Sequence, residues 1–88
     1  MTVLVLVRKG CYQDSARLMQ ASRELSSLPG IAEAVVMMGT GTNGDLLRSA
    51  GFGGEALDSA TPLDMVVALR GASREALDAA RAALDALL

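Results

Sequence analysis

The 88-residue chain has no histidine, no tryptophan and a single cysteine, Cys11. Each absence removes a class of chemistry. Without an imidazole there is no side chain that titrates near neutrality in its ordinary state, and the commonest metal ligand is missing. One thiol alone makes neither an internal disulfide nor a zinc site of the usual donors, and it suits a reducing compartment. Tyr12 and Phe52 are the only aromatic residues, and 8 Lys and Arg stand against 10 Asp and Glu, with no run of like charge. Nucleic-acid binders need a basic face or stacking rings, so that class is excluded. No apolar run approaches the roughly 20 residues that span a bilayer. The longest, Met1 to Val7 broken by Thr2, precedes Arg8 and Lys9, the reverse of a signal peptide's order. The expectation is a cytoplasmic protein with no membrane partner.

What is present is aliphatic. Hydrophobic residues make up 51% of the chain, so the core must be built from Val, Leu, Met, Ile and Ala. The length allows one domain, residues 1–88, burying roughly 60–65% of its unfolded surface.

Residues 2–8, TVLVLVR, are short, β-branched and leucine-rich, as in a buried strand. Asp14 or Ser15 caps a helix that places Leu18, Ala21, Ser22, Leu25 and Leu28 on one face, and Pro29-Gly30 ends it. Ile31 to Met38 alternate as a second strand, with Ala34, Val36 and Met38 on one side and Glu33, Val35 and Met37 on the other. Asn43 caps a short helix that leaves at Gly51, and residues 51–62 read as loop. LDMVVALR, 63–70, is a third strand ending in a solvated Arg70. Ser73 caps a last helix with Leu77, Ala80, Leu84, Leu87 and Leu88 on one face, supported outside by Asp78–Arg81 and Arg81–Asp85.

This order fits a small α/β (α+β) domain with three strands, two main helices and one short helix. It could wind as a parallel sheet. Alternatively, the third strand inserts antiparallel between the first two, giving a ferredoxin-like split βαβ. We favour the second, because SLPGIAEAVVMM resembles the helix-to-strand turn of ferredoxin-like modules. That plan also expects a fourth strand after the last helix. Either an edge stands open to a partner, or the chain is the front of something longer.

Gly39, Gly41 and Gly44 in VVMMGTGTNGDLL satisfy G-x-G-x-x-G. A dinucleotide fold needs that turn after its first strand, before a long helix, with an acidic residue ending the next strand. Here the turn follows the second strand, the helix is short, and Asp64 begins a strand instead of ending one. In that context the spacing reads as an accident of a glycine-rich turn. The amides of Thr40 to Asp45 could still hold a carboxylate or phosphate, or Asn43 could simply cap a flexible turn. Cys11 has no base beside it and reads as a small buried apolar group. Met37 and Met38 fill core, whereas Tyr12 either covers the core or touches a ligand. No catalytic constellation emerges.

Three phrases carry a family resemblance: VRKGCYQDSARLM (7–19), AVVMMGTGTNGDLL (34–47) and ATPLDMVVALRG (60–71). Through K-G-x-Y/F-x-D-S and V-M-M-G-T-x-x-N the chain resembles the N-terminal domain of the FdrA family, similar to the α subunit of succinyl-CoA synthetase. Relatives tend to read G-T-P-x-N-K, so Gly41 replaces a proline and Gly44 a lysine. Lys9 or Arg48 would have to supply the cation that Gly44 lacks. The resemblance implies shared ligand or partner contacts at Lys9, Gly10, Tyr12, Asp14, Ser15, Gly39, Thr40 and Asn43. It also implies that CoA or a nucleotide, if used, belongs to the rest of a longer parent, with no cofactor held by this chain; no metal site is expected from its composition.

Two functions follow from these features. One is an accessory or assembly domain of an FdrA-like acyl-CoA synthetase or oxamate carbamoyltransferase-type enzyme, not catalytic alone, whose partners are the remaining domains or subunits. The other is a ferredoxin-like regulatory module that binds a small anionic metabolite as a homodimer.

Overall fold

The computed structural model describes residues 1–88. Along the chain it places β1 (Thr2–Arg8), α1 (Ser15–Ser26), β2 (Ile31–Met38), α2 (Gly41–Ser49), α3 (Glu55–Asp58), β3 (Met65–Gly71) and α4 (Arg74–Leu87). The strands form one sheet in the order β1-β3-β2, with β3 antiparallel to both neighbours. Leu69 stands opposite Leu4 on one side and Ala34 on the other. This is the split βαβ arrangement, with α1 bridging the two parallel outer strands.

The central strand explains the layering. Met65, Val66, Val67, Ala68 and Leu69 are all fully buried, because helices cover both faces of the sheet. Met65, Val67 and Leu69 pack with Leu18, Ala21 and Leu25 of α1 and Leu77, Ala80 and Leu84 of α4. Val66 and Ala68 point the other way, against Leu47 of α2, Phe52 and Leu57 of α3. A strand buried on both sides has no polar face to alternate with, hence the unbroken run MVVAL. The outer strands still alternate: Ala34 and Val36 join the first cluster, Val35 and Met37 the second.

Local chemistry sets the helix boundaries. Asp14 caps α1 by accepting the Arg17 amide at 3.0 Å, and Ser73 caps α4 by accepting that of Ala76 at 3.2 Å. Leu77 and Leu84 sit seven residues apart on one face of α4, and each contributes roughly 1.5–3 kcal/mol by leaving water.

Four local expectations give way to tertiary structure. The cap of α2 is Thr40, whose hydroxyl accepts the amide of Asn43 at 3.1 Å, so the helix begins before the expected cap. Part of the expected loop 51–62 is the short helix α3, which is drawn in because Leu57 completes the second apolar cluster. Arg81 makes neither expected ion pair: Asp78 pairs with Arg74 at 3.3 Å, and Asp85 pairs with Arg8 of β1. Exposed pairs along a helix are worth only a few tenths of a kcal/mol, so a tertiary partner readily displaces them. Arg70 is no solvated end. It pairs with Glu33, donates to the Ala50 carbonyl at 2.7 Å and lies 4.5 Å from the centre of the Phe52 ring.

The two sheet edges are unlike. Along β2 the Ser22 hydroxyl accepts the amide of Val36 at 2.8 Å and donates to the Leu18 carbonyl at 2.9 Å. Ser26 donates to the Ala34 carbonyl at 3.2 Å, and Asn43 Nδ2 to that of Met38 at 2.8 Å. Outward-pointing groups on β2 therefore belong to Ala34, Val36 and Met38. By alternation across β3, those of β1 belong to Val3, Val5 and Val7, and no hydrogen bond covers them. No helix is long and apolar enough to cross a membrane.

Candidate functional site

The parallel strands β1 and β2 end on the same margin of the sheet, with the start of β3 between them. The residues singled out from the sequence lie in the two turns at this margin. Lys9, Gly10, Tyr12, Asp14 and Ser15 follow β1, whereas Gly39, Thr40 and Asn43 follow β2.

One residue outside that set joins the turns. Asp64, 4% exposed, accepts the Gly10 amide on Oδ1 at 2.8 Å and the Thr61 amide on Oδ2 at 2.9 Å. Its main-chain carbonyl accepts the Gly39 amide at 2.9 Å. Lys9 Nζ stands 3.5 Å from Oδ2. The Gly10 amide and then the Thr61 amide favour the charged carboxylate, with a smaller contribution from Lys9. They outweigh the opposing effect of burial and lower the pKa from 3.8 to about 2.

Two glycines here have different reasons, close approach at Gly39 and a positive φ at Gly10. A Cβ on residue 39 would stand 2.7 Å from the Thr61 carbonyl oxygen and 2.9 Å from Ala60 Cβ. Gly10 adopts a left-handed φ of 63°, which turns its amide toward Asp64. Asp14, Thr40 and Asn43 cap helices or hold the edge of β2, and Ser15 is the first residue of α1. Tyr12 projects from the turn, 67% exposed.

The glycine spacing has a plain origin. Gly41 and Gly44 lie inside α2, and the Gly44 amide already bonds to the Thr40 carbonyl at 2.9 Å. Arg48, one candidate for the missing lysine, folds over Gly44 and pairs with Asp58 at 2.8 Å and Asp45 at 3.4 Å. Lys9, the other candidate, is engaged by Asp64. The crevice beside this turn measures about 180 Å³, and Asp58 is part of its wall.

A larger concavity of about 610 Å³ runs between α1 and the edge of β2. Leu18, Met19, Val36 and Met38 line it, with Tyr12 and Arg23 at its rim. Arg23 was not anticipated from its position, since on sequence it is one of several arginines on a solvated helix face. Asp64 does leave a trace: an acidic residue heading an unbroken apolar run must be paired if the run is buried.

The strand order and the split connection define a ferredoxin-like α+β domain. The chain belongs to the AllF heavy metal-associated domain family, whose N-terminal domain model matches residues 1–88. It is also 30% identical over 73 residues to the uncharacterized protein YahF of Escherichia coli (strain K12), an alignment covering 83% of this chain and 14% of that protein. The chain thus spans about one seventh of that relative's length. No solved structure matches.

The donor set does not fit the metal in that family description. Histidine is absent, and no three groups among Cys, Asp and Glu converge. Cys11 is half-buried, packed against the apolar cluster of α1 and α4. Thiolate, imidazole and carboxylate centres all need several such ligands at one point.

Proposed function

We propose that this domain is an assembly module of an FdrA-like enzyme, related to acyl-CoA synthetases or to oxamate carbamoyltransferase-type proteins. It docks through the outer edge of β1 onto another domain or subunit, or onto a second copy. Substrate, CoA or nucleotide is handled elsewhere in the parent. The observation that carries this reading is the uncovered edge of β1 beside a hydroxyl-capped β2. Along the seven-residue strand TVLVLVR, Val3, Val5 and Val7 present unpaired amides and carbonyls, with no proline, bulge or charge before Arg8. An added strand would satisfy those groups and cover Val3, which is 44% exposed. The FdrA-like phrases at 7–19, 34–47 and 60–71, together with the much greater length of YahF, support a multidomain parent.

The test is co-expression of the chain with the remaining domains of an FdrA-like protein, followed by gel filtration with light scattering. Val5→Pro removes an outward amide while leaving the ladder to β3, and Val3→Lys charges the edge. A complex or dimer lost in both variants supports the proposal. A chain that stays monomeric and unbound, or an assembly indifferent to both substitutions, overturns it.

A further inference from the structure

We infer that the groove between α1 and β2 is a binding site for an amphipathic carboxylate with a linear apolar body, of the medium-chain acyl class. This site lies on the sheet edge opposite β1 and does not rest on the docking role proposed above.

Three observations select that chemistry. The first is volume and lining. About 610 Å³ falls within the range of small-ligand sites, and the floor is apolar, formed by Leu18, Met19, Val36 and Met38. Met19 and Tyr12 are 64% and 67% exposed there, although neither helps the core of the chain by being so. Unbranched, polarizable thioethers adapt to a flexible chain.

The second observation is charge. Arg23 is the one charged residue lining the groove. Arg8, Lys9, Arg48, Arg70 and Arg74 each hold a carboxylate, whereas Arg17, Arg23 and Arg81 hold none, and of these three only Arg23 lines the groove. A free guanidinium at the rim of an apolar trough recognises a carboxylate head, bidentate in the best geometry. Between Ser15 and Arg23 lie about 12 Å of helix, which sets the length of apolar body that fits.

The third observation separates an acyl chain from a peptide. An extended peptide laid along β2 would need the strand's outward groups to satisfy its own backbone. The Val36 amide is held by Ser22, the Ala34 carbonyl by Ser26 and the Met38 carbonyl by Asn43. Peptide amides in this groove would therefore lose water without gaining partners, a cost that an alkyl chain does not incur.

Titration of the whole chain with decanoate, decanol and acetate, followed by amide and methionine-methyl NMR, tests the inference. Decanoate below its micelle concentration should shift signals of Met19, Met38 and Arg23 saturably, whereas acetate should not. Arg23→Gln, an exposed change, should weaken decanoate about tenfold and leave decanol unaltered. Met19→Asp should abolish binding of both, and circular dichroism will show that each variant is folded. No saturable shift, shifts confined to other surfaces, or equal affinity in wild type and Arg23→Gln would overturn it. So would groove signals that move only with protein concentration, because they would make this face a contact between copies.

Discussion

The side chain of Asp64 accepts the amide of Gly10 at 2.8 Å, tying together residues 54 positions apart in the chain. With the Thr61 amide on its other oxygen and the Gly39 amide on its carbonyl, it clamps both turns of the candidate margin to the entry of β3. Replacing it by alanine leaves two amides without a protein acceptor. Asp64→Ala should lower the melting temperature by several degrees and speed amide exchange at Gly10 and Thr61. Asp45→Asn, at an exposed ion pair, should do neither.

The same carboxylate makes stability depend on acid. Its folded-state pKa of about 2 lies below the ordinary 3.8, so its contribution is complete above that ordinary value. It is then lost as the pH falls through 2. Urea midpoints measured from pH 5 down to about pH 2 should fall, and the fall should be shallower in Asp64→Asn, which cannot titrate there.

The hydroxyl of Ser22 holds the amide of Val36, a residue 3% exposed. Ser22→Ala should cost about 1–2 kcal/mol through the orphaned donor. That corresponds to about 5–15 °C in a chain of this size, measurable by calorimetry. The variant should also expose an unpaired rung on β2, detected as faster exchange at Val36.

Two glycines of one motif should respond oppositely. Gly39→Ala drives a methyl to 2.7 Å from the Thr61 carbonyl and destabilises, because backbone cannot step aside. At Gly41 the added methyl meets nothing within 4 Å, and the position is helical. Gly41→Ala should therefore be neutral or stabilising by up to about 1 kcal/mol. Parallel urea denaturation of the two variants gives the comparison.

Much of the fold was legible because it rests on local patterns. Alternation from Ile31 to Met38, the unbroken MVVAL run and the capped leucine face of α4 each name their element without tertiary knowledge. Where the reading missed, a distant partner had decided the matter. Asp85 answers to Arg8, Arg70 to Glu33 and Phe52, and α3 exists because Leu57 seals a cluster on the second face. The site followed the same rule. Asp14 and Asn43 were visible as cap chemistry and Gly39 as a glycine turn, and Gly10 and Thr40 entered through the family resemblance, whereas Asp64 acquires its role through Gly10 and Gly39, which only the folded sheet brings near. Arg23 carried no signal at all, since a guanidinium without a partner looks in sequence like any other.

The contrast between the covered β2 margin and the bare β1 margin bears on how far association can run. If two copies meet β1 to β1 about a two-fold axis, each new outer boundary is a β2 strand whose outward carbonyls at Ala34, Val36 and Met38 and amide at Val36 are already engaged by serine and asparagine. A further strand would then find few free acceptors, so growth beyond a pair is disfavoured. In a chain rich in aliphatic residues, three polar side chains on one flank thus act against stacking into fibres.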